Sequence, residues 1–340
     1  MKFLFELNHP KHYYQFKYVM QSLRQQGHET LVLARDKDVL LKVLEQEGVK
    51  YIIFGKHHKK MWAKILGTIG VMFNYIGIAQ REKPDVIVSK ASWYGTATAW
   101  LLHRKSVIFP DSEVVKVTNK FVVPICTKVV TPQHFKLDYG SRHIRIPGIF
   151  EDCYLSPEVF SADNTVAEQY HLQQPFAVLR FVGWEANHDV GNAGFKQQQK
   201  EALVKAIEAH MNVYISSEKP LPQHLAKYQL PTPAALIHHV LSAASLYVGD
   251  SQTMAAEAAL LGTPAIRSNT FVGPNDMSNF IVLEHEHKML FNIADPEVAI
   301  AKATELAAAP RKEEWMKKRE EYYKRVGDIN AQIVELLTNI

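Results

Sequence analysis

Leu246-Tyr247-Val248-Gly249-Asp250-Ser251-Gln252-Thr253-Met254-Ala255-Ala256-Glu257-Ala258-Ala259-Leu260-Leu261-Gly262-Thr263-Pro264-Ala265-Ile266 is the stretch whose reading decides the fold. Its apolar run stops at Gly249, small polar residues follow, and an alanine-rich segment then leads to Gly262 and Pro264. Glycine just past a helix and proline soon after are stop signals, so the pattern predicts strand, tight turn, helix, turn, strand. The backbone N–H groups of Ser251, Gln252 and Thr253 then stand at a helix N-terminus beyond a strand's carboxyl end. Unpaired donors and the helix dipole favour a diphosphate there. Glu257, a lone acid among alanines, is placed one turn further on to accept hydrogen bonds from vicinal ribose hydroxyls. An ordinary strand–helix unit with an exposed Glu fits the same letters.

Outward from this stretch, strands and helices alternate in both directions. In the first half, Phe3–Leu7 reads as a strand, Asn8-His9-Pro10-Lys11-His12 as a loop, and a helix follows to about Gln26. Strand, helix and strand then repeat through Phe54, and further short strands are expected at Val86–Val88, Ser106–Phe109 and Val129–Pro132, the last of this half. In the second half, strands at Phe176–Val182 and Val213–Ser216 precede the opening stretch. Helices follow it, ending in a charged one broken near Gly327. Strands alternating with helices imply parallel sheets with crossovers. A chain of 340 residues exceeds what one core usually supports, so two domains are expected. They are placed at 1–155 and 156–324, with the helix over 325–340 packing back on the first. The fold class is α/β, two Rossmann-like parallel-sheet domains facing a cleft.

Composition narrows the function classes. The chain is 47% hydrophobic and 22% charged, and its net charge of +4 is too small to argue for nucleic acid. Cys126 and Cys153 are too few for a disulfide framework or a zinc cluster, and His238-His239 lacks a third ligand at suitable spacing, so no metal is expected. The N-terminus enters a strand without a signal-peptide layout, which points to a cytoplasmic protein. Lys56–Lys60 is basic, and the following uncharged run Ile65–Gln80 has 16 residues, short of the about 20 that span a bilayer. A domain helix fits this region. So does a membrane-touching surface over 56–80 at the inner face of the membrane.

Ligands of parallel sheets bind where strand ends open into loops, which singles out three loops. The first carries Asn8, Lys11 and His12. The second is Asp111-Ser112-Glu113, two acids just after a strand, which are equally turn and cap residues. The third is Gly183-Trp184-Glu185-Ala186-Asn187-His188-Asp189-Val190-Gly191, with Arg180 just before it. Its His188 beside Asp189 has the makings of a pH-tuned acid or base, or of a hydrogen-bonded loop.

The opening stretch resembles the strand–Ser–Gly–Gly–helix–Glu pattern of nucleotide-sugar enzymes of glycosyltransferase-B architecture. The likeness is to non-hydrolysing UDP-N-acetylglucosamine 2-epimerases and the lipid-II-forming N-acetylglucosaminyltransferase. Gln252-Thr253 stands where those enzymes have Gly-Gly. Together with Asn8–His12, Asp111–Glu113, Arg180–Gly191 and Glu257–Pro264, the chain looks still more like a bacterial and archaeal family of unknown function related to them. The resemblance implies a diphosphate at Ser251, Gln252 and Thr253, the ribose at Glu257, and no tightly bound cofactor or metal.

Epimerisation, which needs several acids around the sugar, is the alternative reaction. The epimerase Gly-Asp-Thr segment aligns near Val88-Ser89-Lys90-Ala91, where no Asp stands, and a second acid is missing near Lys116-Val117. Glycosyl transfer asks for one base and support for departing UDP. The expected catalytic residues are His12 (base or sugar contact), Glu113 and His188. Asn8, Lys11, Asp111, Arg180 and Trp184 are expected to bind substrate. The partners expected are a UDP-sugar donor and a lipid-linked or glycan acceptor of the cell surface. A non-catalytic nucleotide-sugar-binding protein is the third reading.

Overall fold

The computed structural model describes residues 1–56, 61–113, 118–183 and 193–340. The chain divides into two compact units, Met1–Tyr154 with Asp328–Ile340, and Leu155–Gly327.

In the first unit the order is β1 (Lys2–Leu7), α1 (Pro10–Gln25), β2 (Glu29–Asp36), α2 (Asp38–Gln46), β3 (Tyr51–Lys56), α3 (Met61–Glu82), β4 (Val86–Ser89), α4 (Trp93–Leu101), β5 (Lys105–Ile108), β6 (Lys128–Pro132) and β7 (His143–Ile146). The seven strands lie in the order β3-β2-β1-β4-β5-β6-β7, every neighbouring pair parallel. β7 is a strand beyond the expected last one of this half. Its sequence His-Ile-Arg-Ile alternates apolar with polar and lies half in solvent, so it lacks the continuous apolar run of the inner strands. β1 has that run: Phe3, Leu4, Phe5 and Leu7 are fully buried, as a central strand covered on both faces requires.

Across the boundary lies α5 (Asp152–Leu155). The second unit then continues with α6 (Thr165–Gln169), β8 (Phe176–Phe181), α7 (Gln197–Glu208), β9 (Asn212–Ser217), α8 (Ile237–Ala243), β10 (Leu246–Gly249), α9 (Gln252–Leu260), β11 (Ala265–Arg267), α10 (Ser278–His285), β12 (Leu290–Asn292), α11 (Pro296–Ala308) and α12 (Lys312–Val326). Its sheet runs β12-β11-β10-β8-β9, again all parallel. β12, three residues long, is too short to show a period in sequence. The opening stretch is β10, α9 and β11 as read. Gly262 ends the helix segment at φ +75, a conformation that favours glycine.

Gly327, at φ +65, breaks the C-terminal helices. After it, α13 (Ile329–Thr338) packs on α1, and Asn330 Nδ2 donates to the Cys153 carbonyl at 3.0 Å. Both cysteines are buried, and burial pushes their thiols up, Cys126 to about 11, so neither is a reactive thiolate.

These strand orders fix where ligands bind. The chain leaves β1 toward β2 and β3, then returns to the other side of β1 as β4. In the second unit it leaves β8 toward β9 and returns as β10. Each reversal opens a crevice at the carboxyl ends of the two central strands. The residues just past those ends are Asn8 and Lys90 in one unit, and Val182 and Asp250 in the other.

Candidate active site

At the β1/β4 crevice the chain places four charged groups. Lys90, the first residue after β4, has a side chain only 4% exposed; its Nζ lies 3.3 Å from Asp111 Oδ2 and donates to Gln15 Oε1 at 2.8 Å. The ammonium also sits 4.0 Å from the centre of the Phe150 ring, a cation–π contact. Lys11, in the first turn of α1, pairs with the buried Glu151 at 2.8 Å and lies 3.9 Å from Asp111. Two cations and two carboxylates therefore neutralise each other where solvation is poor, as buried charges must. Phe5, Phe16, Phe109 and Phe150 form a continuous series of ring contacts beside them.

Asp111 keeps 42% of its side chain exposed, so a substrate can reach it. Burial opposes its ionisation, but Lys90 and Lys11 outweigh that and hold the carboxyl well below the usual carboxylate range. Its folded pKa is depressed, so the stability it contributes is present above the unfolded pKa of about 3.9 and lost as pH falls through the folded value.

His12 lies at the third position of α1, and its Nδ1 accepts from the Asn8 N–H at 3.2 Å. Desolvation first, then Lys90, hold the imidazole well below its ordinary pKa. A helix N-terminus disfavours the cation further. His12 is thus neutral with Nδ1 engaged as an acceptor, which leaves the proton on Nε2. In this arrangement it is a hydrogen-bond donor.

Beneath the crevice lies Glu6, a fully buried acid in the central strand. Its Oε1 accepts from Asn8 Nδ2 at 3.0 Å, while its Oε2 has no hydrogen-bond partner. Asn8 Oδ1, Gln15 Nε2, Tyr75 Oη and Thr96 Oγ1 are also buried without partners. Desolvation raises the Glu6 pKa, against the side chains of Ser92, Asn8 and Tyr75, which favour its ionised form. A raised carboxyl pKa favours the fold at low pH, and that advantage is lost as pH rises through the folded value. Glu6→Gln should therefore raise the melting temperature by about 2–4 °C at pH 8 and show a smaller gain at pH 5. Differential scanning calorimetry at the two pH values checks this.

At the β8/β10 crevice, Ser251 caps α9, its Oγ accepting from the Met254 N–H at 3.4 Å. The first-turn amides of Gln252 and Thr253 are among those a helix leaves without an intrahelical acceptor. Glu257 is 8% exposed, and its Oε1 lies 3.2 Å from His238 Nε2 on α8, so it is not an ordinary surface acid. Arg180, expected to face the diphosphate, is tied to the β9 side. Its terminal nitrogens donate to Ser216 Oγ at 2.9 Å and Glu218 Oε1 at 2.7 Å.

Asp250 joins the loops: Oδ1 accepts from the Val182 N–H at 2.8 Å, and its main-chain carbonyl accepts from Asn269 Nδ2. A Cβ on Gly194 would stand 2.0 Å from the Asp250 carboxylate, so only glycine allows this approach. Asp250 thereby braces both ends of the segment that carries Trp184 and His188. Those two expected site residues lie outside the described residues.

Glu113 accepts the Lys136 N–H at 2.7 Å and so braces the loop after β6. The crevice in the first unit thus gathers Asn8, Lys11, His12 and Asp111 from the expected set, and adds Lys90, Glu151, Gln15 and Glu6. The signal for Lys90 was present: it directly follows the strand across the reversal from Asn8. Glu6 was visible as a charge inside an apolar strand. Among the described residues, no three or more His, Cys, Asp or Glu side chains are placed to hold a metal ion, and no helix is long and apolar enough to cross a membrane.

Two parallel-sheet, Rossmann-like units with sites at their strand reversals define the glycosyltransferase-B class of folds. The UDP-GlcNAc 2-epimerase of Neisseria meningitidis, solved bound to UDP-GlcNAc, aligns over 100% of both chains with TM-score 0.68 and 13% identity. MurG of Acinetobacter baumannii aligns over 100% of this chain and 99% of its own, with TM-score 0.64 and 15% identity. The chain belongs to the family described as Protein of unknown function (DUF354), whose model matches residues 1–175. An uncharacterised protein of Methanocaldococcus jannaschii is 21% identical over 277 residues, 77% of this chain and 80% of that protein.

Proposed function

We propose that this protein is a nucleotide-sugar-dependent glycosyltransferase, with UDP-sugars as the first donors to test and a cell-surface glycan precursor as acceptor. One observation carries the reading. A helix starts directly past the β10 end at the strand reversal, and a nearly buried acid, Glu257, stands one turn in, held by His238. Free amides at α9 suit a diphosphate, and a fixed carboxylate suits ribose hydroxyls. A structural neighbour solved bound to UDP-GlcNAc on the same fold supports it.

In this reading the acceptor oxygen forms its bond to the anomeric carbon as the bond to the nucleotide diphosphate breaks. The electron pair leaves on the diphosphate, which the α9 amides stabilise. The acceptor hydroxyl becomes acidic as its oxygen bonds to carbon and its proton passes to water, while Asp111, ionised and open to solvent, orients an acceptor by accepting its hydrogen bond. In the β1/β4 crevice His12, its Nδ1 occupied by the Asn8 N–H, offers its Nε2 proton to a sugar hydroxyl. A donor can be replaced by an amide, a base cannot. His12→Ala should lower turnover by about thirtyfold, and His12→Gln should restore most of it. Equal loss in both variants would return His12 to the role of base.

Glu6 and Glu151 favour a second reading. They supply buried acids of the kind an epimerase-type elimination needs, although the acid expected near Lys90 is absent. Incubation with UDP-N-acetylhexosamine alone separates the two. Transfer requires acceptor for UDP release, whereas epimerisation inverts the sugar or releases UDP without one.

A further inference from the structure

The first unit carries an unusual surface on its helices. On α3, Ile69 and Phe73 are 54% and 71% exposed, and four residues apart they share a face. On α4, which packs on α3, Trp93 and Trp100 are 45% and 62% exposed and seven residues apart, again on one face, with Leu101 beside Trp100 at 52%. The turn Thr118–Val122 packs on α4 and exposes Phe121 at 50%. Of the ten large hydrophobic residues exposed among the described ones, six lie on these three neighbouring segments. A spread of exposed apolar residues needs no explanation, but a concentration of aromatics does.

Charge singles out the same part of the chain. Residues 48–137 hold fourteen Lys and Arg against four Asp and Glu, a net +10, which leaves −6 on the rest of a chain whose total is +4. No acid occurs from 48 to 81 or from 86 to 110, and no charge of either sign from 65 to 80 or from 91 to 102. Exposed His103, Arg104 and Lys105 follow the end of α4. Lys120 sits 5.4 Å from the Phe121 ring centre.

We propose that the α3–α4 face is a docking surface for an anionic lipid bilayer, with the aromatics entering the headgroup boundary and the basic residues meeting lipid phosphates. Charge selects this occupant. A second copy brought face to face would set one basic region against another, whereas anionic lipid attracts both the cations and the apolar side chains. Tryptophan suits a boundary that is apolar on one side and wet on the other. The inference stands on this surface alone and holds whichever reaction the crevices perform.

The test is flotation of the full-length protein with vesicles of phosphatidylcholine, or of phosphatidylcholine with 40 mol% phosphatidylglycerol, at about 0.1 M and 0.5 M salt. Binding is expected to the anionic vesicles at low salt, and to fall severalfold at high salt. Phe73→Ser with Trp100→Ser should weaken it by about tenfold or more, while Val298→Ser, an exposed apolar residue of the other unit, should leave it unchanged. Circular dichroism melts show whether the double variant stays folded. Should it not, Arg104→Glu with Lys120→Glu, both at exposed positions, should lower binding by a similar factor. No binding to anionic vesicles, or undiminished binding by folded variants, overturns the proposal. So does a dimer in sedimentation that the double variant abolishes while vesicle binding is absent.

Discussion

Lys90→Met is expected to lower turnover by about 10²-fold, the largest single effect in the first unit, because Asp111 loses the group that fixes its position. Methionine keeps the length and apolar stem of the side chain but loses the cation over the Phe150 ring. What is lost is the ammonium 3.3 Å from Asp111 and its hydrogen bond to Gln15. Asp111 then retains Lys11 at 3.9 Å, a cation already engaged by Glu151. Its carboxyl pKa should rise, and the acid limb of the pH–rate profile should move to higher pH in step. Breaking a buried pair typically costs about 3–5 kcal/mol, and the open side of Asp111 reduces that to about 1–3. Lys90→Met with Asp111→Asn separates the two effects. Removing both charges should restore much of the stability and none of the activity. Recovery of activity in the double variant would show the pair to be structural only.

The second large effect belongs to Glu257. Its carboxylate is nearly buried and fixed by His238, so alanine there removes a positioned acceptor together with its contact to His238. Losing two hydrogen bonds from ligand hydroxyls to a charged acceptor is worth about 2–3 kcal/mol, or roughly hundredfold in affinity. Glu257→Gln retains one acceptor oxygen and should fall between. The effect should appear in Kd for the nucleotide alone, without any sugar, because the contact is to ribose. A loss confined to kcat would instead place Glu257 with the reacting groups.

The fold was legible because its signals are local. The β10–α9–β11 unit follows from Gly249, the alanine run, Gly262 and Pro264, each of which acts through its own backbone chemistry. β7 and β12 were not legible: one is an alternating edge strand, the other three residues long, and both owe their pairing to neighbours distant in sequence. The site was half legible for the same reason. Asn8 and Asp111 stand on loops after strands, where sequence alone marks them; Lys11 and His12, expected on the same loop as Asn8, lie in the first turn of α1, which Pro10 starts. Lys90 and Glu151 gain meaning only when β4 and the 149–151 segment bring them to Asp111 and Lys11. Arg180 shows the opposite case. Its place at a strand end was read correctly, but Ser216 and Glu218 on the neighbouring strand's side claim its guanidinium, which no local pattern could reveal. His12 was marked as a residue of interest, yet its proton position depends on one backbone N–H, that of Asn8.

Calorimetric titration with UDP-N-acetylglucosamine and free UDP, on the wild-type protein and on Glu257→Ala, tests the nucleotide-sugar reading most directly. Saturable binding of both ligands to the wild type, weakened about hundredfold by the substitution, is the expected result. No heat from UDP-, dTDP- or GDP-linked sugars at millimolar concentration, or equal binding by the Glu257→Ala variant, would contradict it.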